Sequence, residues 1–214
     1  MNISTSGVPK DGLPAGFLYI DDVIEDCIVD AKYSGTDNFA GYRIDGYEHP
    51  LVVVTEEAAR CAVKAADILR KRGYLLKFFD GYRPQRAVDH FIRWAADPAD
   101  MRRKPIHYPF LEKSKVFELG YVAEKSAHTR GAAVDLTIVD AATYLEVDVG
   151  AIFDFMDPRS HVVTSAISPA QEQKRRILRE AMEASGFVTY PYEWWHYNLA
   201  REPYPDTYFD FPIR

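Results

Sequence analysis

Ala132-Ala133-Val134-Asp135-Leu136-Thr137-Ile138 alternates along its length. Ala132, Val134, Leu136 and Ile138 fall on one face of an extended chain and Ala133, Asp135 and Thr137 on the other, because successive side chains of a strand point to opposite sides. The stretch predicts a strand with a carboxylate on its more polar face. Ser126-Ala127-His128-Thr129-Arg130-Gly131 leads into it, and Gly131 lets the backbone turn sharply between His128 and Asp135.

Working outward, Thr55, the acidic pair Glu56 and Glu57, the apolar positions Ala58, Ala59, Ala62, Val63, Ala66 and Leu69, and Gly73 describe a capped amphipathic helix with its stop. Tyr74 to Phe79 reads as a strand. Pro84 suits the first turn of a second helix, with Ala87, Val88, Phe91, Ile92 and Trp94 or Ala95 on its inner face. Arg83 therefore falls in a strand-to-helix turn. Toward the C-terminus, Ser168, Pro169 and Gln171 open a helix through Ile177, Leu178, Ala181 and Met182 to Gly186. Phe187 to Tyr190 and Trp194 to Leu199 close as strands. Helices cluster, strands neighbour strands and clear βαβ alternation is missing, so the expected fold is α+β with a central antiparallel sheet flanked by helices.

The chain has 214 residues, one domain of generous size, and no repeat or linker divides 1–214. With 47% hydrophobic and 27% charged residues, it carries enough apolar mass to offset its ordering entropy. A net charge of −6 argues against a broad phosphate-binding surface, so nucleic acid is not an expected partner. No basic stretch with an apolar core opens the chain, and no segment approaches the roughly 20 apolar residues of a membrane span. Cys27 and Cys61 sit in apolar stretches and read as reduced thiols. The expected location is the cytoplasm, without membrane association.

His128 and Asp135 stand seven positions apart across the turn. Imidazole nitrogen and carboxylate oxygen are both acceptable zinc ligands, and a strand beside a tight turn can aim them at one point. The plain alternative is a surface histidine near an aspartate. Tyr192-Glu193-Trp194-Trp195-His196-Tyr197 offers a third ligand in His196, which would leave a fourth tetrahedral position for water, as in catalytic sites. Glu193 is the natural base for that water. Residues three apart on a regular strand face opposite ways, so Glu193 and His196 share a site only if Glu193 lies in the loop after Pro191 or the strand is bulged. Otherwise Trp194 and Trp195 are core and rim residues with His196 hydrogen-bonded between them. In Asp80-Gly81-Tyr82-Arg83-Pro84, Arg83 either stabilises the anion of a tetrahedral intermediate or pairs with a surface carboxylate.

Together these segments closely resemble the zinc D-alanyl-D-alanine dipeptidases of the VanX type. The resemblance extends to Asp37-Asn38-Phe39, to Phe153-Asp154-Phe155-Met156-Asp157 with Ser160-His161, and to Glu202-Pro203-Tyr204-Pro205 and Tyr208-Phe209-Asp210-Phe211-Pro212. It implies that His128, Asp135 and His196 bind one zinc ion, that Glu193 acts as general base, and that Arg83 serves the transition state. It also implies that Asp154, with Ser126, holds the free ammonium of a D,D-dipeptide. The implied fold is one α+β domain related to zinc DD-carboxypeptidases and the hedgehog signalling domain. Tyr144 to Ile152 matches no motif and leaves the pocket wall there open. Such an activity would serve glycopeptide resistance, recycling of wall fragments or growth on D-alanine.

Two other functions compete with it. A zinc carboxypeptidase or endopeptidase acting on peptidoglycan peptides would share the chemistry, but no wall-binding repeat accompanies it. A non-catalytic zinc-binding module would need neither Glu193 nor Arg83.

Overall fold

In chain order the elements are β1 (Phe17–Tyr19), β2 (Ile28–Val29), β3 (Val53–Thr55), α1 (Glu56–Arg70), β4 (Tyr74–Asp80), α2 (Gln85–Ala96), α3 (Lys104–His107), β5 (Ala133–Asp140), α4 (Pro169–Ala184), β6 (Phe187–Tyr190) and β7 (Glu193–Leu199). These come from a computed structural model that describes residues 7–10 and 12–214. Residues 1–6 and Asp11, which enter the one-domain span and the reading of the chain's opening, lie outside the described residues.

Five strands form one sheet in the order β2-β4-β5-β7-β6, and β1 pairs with β3 in a separate antiparallel ribbon. The β4–β5, β5–β7 and β7–β6 pairs are antiparallel. The edge pair β2–β4 is parallel, which requires a crossover between the two strands, and α1 lies in it.

The capped helices form where the sequence places them. Thr55 Oγ1 accepts from the Ala58 backbone N–H at the start of α1. At α4, Ser168 and Gln171 complete a reciprocal capping box that satisfies two otherwise orphaned N–H groups. The inner face of α1 is built from Ala58, Ala59, Ala62, Ala65 and Ala66, with Leu69 near its end, and its small alanine side chains let it approach α4, β3 and β4. In α2, Pro84 sits at the N-cap, one position before the first turn, and Ala87, Val88, Phe91 and Trp94 are buried. No helix among the described residues is long and apolar enough to cross a membrane. Cys61 is buried and Cys27 half-buried, and both thiols are free.

The β5 strand differs from the expectation of a polar face. Ala133 through Val139 are all buried, so the Asp135 side of the strand is covered as well as the core side. Val134, Leu136 and Ile138 join the apolar core that also takes the inner faces of α1 and α4.

The C-terminal tail ties the site turns together. Phe209 donates its N–H to Thr129 O at 3.0 Å and accepts from Gln85 N–H at 3.0 Å. Phe211 stacks on Tyr82 with ring centroids 4.0 Å apart. Arg83 N–H donates to His128 O at 3.2 Å, so the Arg83 and His128 turns are fastened to each other as well as to the tail.

Gly131 ends the His128 turn with φ 66°, and a Cβ there would lie 2.5 Å from Thr55 Cγ2 and 2.9 Å from Phe17 Cε1. Gly131→Ala combines left-handed strain with overpacking. We expect a loss of about 3 kcal/mol and a fall in Tm of about 6–12 °C, measured by calorimetry. An unchanged Tm would contradict this description of the turn.

Candidate active site

Strand register assembles the site. Asp80 on β4 stands opposite Asp135 on β5, after a register shift between Phe78 and Asp80, and Asp135 stands opposite His196 on β7. Three chemically active side chains thus share one rung across three neighbouring strands. His128 joins them from the one-turn 3-10 helix His128–Arg130 just before β5.

Both imidazoles have their tautomers fixed by acceptors. His128 Nδ1 lies 2.6 Å from the Gly81 carbonyl, which can only accept, so Nδ1 carries the proton. Gly81 is required there, since a Cβ would meet Val53 O at 2.3 Å. His196 Nε2 lies 3.0 Å from Asn198 Oδ1 and likewise donates. The remaining nitrogens, His128 Nε2 and His196 Nδ1, face each other at 3.1 Å with a lone pair on each. Asp135 supplies Oδ2 at 3.3 Å from His128 Nε2 and Oδ1 at 3.1 Å from His196 Nδ1. Asp135 Oδ1 is buried and accepts no hydrogen bond. Ligand atoms of these three residues lie within 4.8 Å of one another. Two lone pairs and an unsatisfied carboxylate oxygen converging this closely form a donor set for a cation.

Glu193 opens β7 itself rather than lying in the loop after Pro191. Thr189 pairs with Tyr197, and the next residue of β6, Tyr190, pairs with Glu193. The strand is therefore bulged across 194–196, and that breaks the two-residue alternation. Glu193 and His196 consequently reach the same place, with Glu193 Oε2 3.7 Å from His196 Nδ1. Burial, reinforced by the Asp135 charge, pushes the Glu193 carboxyl up to about 8 despite the opposing pull of His196 and Arg83. Trp194 and Trp195 are both buried, and Trp195 lines the cavity beside Glu193.

Arg83 donates from Nε to Asp80 Oδ2 at 2.9 Å and from Nη2 to Asp135 Oδ2 at 3.4 Å. Its guanidinium lies 5.2 Å from the ring centroids of both Tyr33 and Phe91, which are themselves in tilted contact. Asp80 is held in turn by the Tyr47 hydroxyl at 2.8 Å. Its carboxylate partners are buried site residues, so the surface ion pair weighed from sequence does not form. Arginine carries five N–H donors, more than these carboxylate contacts use.

Asp154 and Ser126 come to the same cavity. Asp154 has φ 58°, and the Tyr33 hydroxyl sits 3.2 and 3.0 Å from its two oxygens. Burial pushes its carboxyl well above the ordinary value, and the charges of Asp135 and Glu193 push the same way. Ser126 Oγ accepts from the His128 backbone N–H at 3.2 Å. One cavity of about 410 Å³ is lined by Arg83, Ser126, His128, Asp135, Asp154, Glu193 and His196, small for a ligand pocket. Tyr144 to Ile152 forms none of its wall. Gly120, Tyr121, Val122, Ala123 and Lys125 do line it.

Nothing in the local sequence marks Tyr33, Tyr47 or Asn198 as site residues. Their roles depend on partners such as Asp154, which is 121 positions from Tyr33, and Asp80, which is 33 from Tyr47. Phe39 of the Asp37-Asn38-Phe39 motif does line the cavity.

The profile of peptidase family M15, described as D-ala-D-ala dipeptidase, matches residues 14–214. A D-alanyl-D-alanine dipeptidase of Enterococcus faecium is 46% identical over 199 residues, covering 93% of this chain and 98% of that protein. One from Enterococcus faecalis is 46% identical over 92% of this chain and 98% of its own length. One from Streptomyces coelicolor is 44% identical over 92% and 98%. With this identity maintained over nearly the whole length, and with the site residues gathered in one cavity, the chain belongs to the D-ala-D-ala dipeptidase family of M15 peptidases.

Proposed function

We propose that this chain hydrolyses D-alanyl-D-alanine to two D-alanines, with one zinc ion held by His128 Nε2, His196 Nδ1 and Asp135. The observation that carries this reading is the unsatisfied Asp135 Oδ1 beside two facing imidazole lone pairs, within reach of a buried carboxylate base. The charge inventory supports it. Asp80, Asp135, Asp154 and Glu193 face a single guanidinium, Arg83, a deficit of three positive charges when all are ionised. A dication offsets two of these, and the substrate ammonium answers Asp154 locally, while the dipeptide as a whole stays neutral because it also carries a carboxylate.

Zinc, when bound, polarises the scissile carbonyl and makes water acidic enough to attack it near neutral pH. Glu193 takes the proton of the attacking water and passes it to the leaving nitrogen. Arg83, fixed by Asp80 and by the rings of Tyr33 and Phe91, stabilises the negative oxygen of the tetrahedral intermediate. Asp154, with Tyr33 and Ser126 beside it, receives the substrate ammonium. A chain acylated at nitrogen has no such charge, and binding it would leave a buried carboxylate without a partner. The same feature disfavours wall polymers as substrates.

Purified protein is expected to hold about one zinc per chain. Changing His128, Asp135 or His196 to Ala removes the metal, whereas Glu193→Gln keeps it and lowers kcat by about 10²–10⁴-fold. Elemental analysis with steady-state rates checks both. Full zinc occupancy in two of the three ligand variants would overturn the assignment.

Glu193 must be ionised to accept a proton, so kcat/KM rises with pH as its carboxyl deprotonates and is lost as pH falls through that value. The acid limb is expected above the ordinary carboxylate range and below about 8, since a bound dication pulls the value down. It should vanish from the residual rate of Glu193→Gln. A limb that persists there belongs to another group.

Wild type should cleave D-alanyl-D-alanine at least about a hundredfold better than its N-acetyl derivative, and Asp154→Asn should narrow the gap by weakening the free dipeptide. Equal rates for both substrates in wild type would favour a wall carboxypeptidase.

A further inference from the structure

Asp154 and Tyr144 are the non-glycine residues with positive φ among the described residues. Side chains with a Cβ hold that conformation where the surroundings impose it. What imposes it on Asp154 lies behind the cavity. His107, buried at the end of α3, has Nδ1 3.1 Å from the Asp154 carbonyl, and its own carbonyl accepts the Met156 N–H at 2.7 Å. One residue thereby grips the backbone of Asp154 and of the second residue after it.

The partners of His107 settle its tautomer. A carbonyl only accepts, so Nδ1 donates, while Nε2, 3.2 Å from Arg103 Nη2, accepts from a guanidinium that only donates. Burial pulls the imidazole down to about 4, so it stays neutral and keeps this single arrangement. Arg103 is itself moored, donating from Nε to Asn38 O at 3.0 Å and from Nη2 to Asp37 Oδ1 at 3.0 Å. His107 does not line the active-site cavity.

The ends of the Asp154 loop are fixed independently. Buried Arg175 on α4 donates to the carbonyls of Val149 at 2.7 Å, Arg159 at 3.0 Å and His161 at 3.1 Å. Loss of the His107 side chain therefore removes the hold on the Asp154 carbonyl itself, while the Met156 N–H bond to the His107 carbonyl and the flanks of the loop remain.

We propose that His107 is a positioning residue for substrate recognition, locking Asp154 in the left-handed conformation that turns its carboxylate to Tyr33 and the cavity, and so setting the preference for a free-amine dipeptide. The proposal rests on the reading of Asp154 as the ammonium receptor.

The test is kcat/KM for D-alanyl-D-alanine and for N-acetyl-D-alanyl-D-alanine in wild type, Asp154→Asn, His107→Leu, His107→Gln and His107→Asn. Asparagine places its amide nitrogen two bonds from Cβ, as histidine places Nδ1, whereas glutamine carries it one bond further out. His107→Leu and His107→Gln should lose about tenfold on the free dipeptide, mainly through KM, with little change on the acetylated one. His107→Asn should recover most of the loss. Adding His107→Gln to Asp154→Asn should cost nothing more in the ratio of the two substrates. A merely structural role would lower both substrates together, and an unchanged ratio in both Leu and Gln variants overturns the proposal. If wild type shows no preference for the free dipeptide, or Asp154→Asn leaves that preference intact, the ammonium reading itself fails, and this inference with it.

Discussion

Two imidazole lone pairs facing each other at 3.1 Å, with a buried carboxylate oxygen beside them, are tolerable only around a positive charge. The fold around them supplies that geometry. The Gly81 carbonyl turns His128, Asn198 turns His196, and the β5–β7 register sets Asp135 opposite His196. Because side chains alternate along a strand, a slip of one residue in β5 would send Asp135 into the apolar core and turn Val134 and Leu136 out to the site. The long β4–β5 ladder and the packed face beneath it fix the catalytic spacing as much as they stabilise the sheet.

In the proposed reading the same cation organises the acids around it. Glu193 and Asp154 are both pushed upward by burial and by Asp135, and each lacks the full cation complement that its surroundings call for. Arg83 offsets part of the negative charge, and Asp80 and two aromatic rings hold it in place. In the proposed reading Asp154 is left to discriminate. A carboxylate desolvated at one end of a small cavity favours a ligand that brings its own ammonium and rejects one that does not.

Much of this was legible in local sequence. Thr55 with Glu56 and Glu57, the Ser168 box and Gly131 act through near neighbours, so the ends of α1 and α4 and the His128 turn fall where their residues predict. The family motifs brought all seven proposed site residues to one cavity. What was not legible depends on contacts across the fold. The second face of β5 is buried although its own residues do not announce it, and the parallel edge strand β2 is only two residues long. Glu193 reaches His196 through a bulge whose position is set by pairing with β6. Tyr47, Tyr33 and His107 act on residues 33, 121 and 47 positions away, and nothing in their own neighbourhoods distinguishes them from ordinary core residues.

The central claim is that these residues form a metal-dependent dipeptidase, and release of D-alanine from D-alanyl-D-alanine by the purified chain tests it most directly. Activity should be present as purified, fall to background after dialysis against a chelator, and return when zinc is added back in equimolar amount. Undiminished release from protein shown to be metal-free, or no release from the zinc-loaded protein, would contradict it.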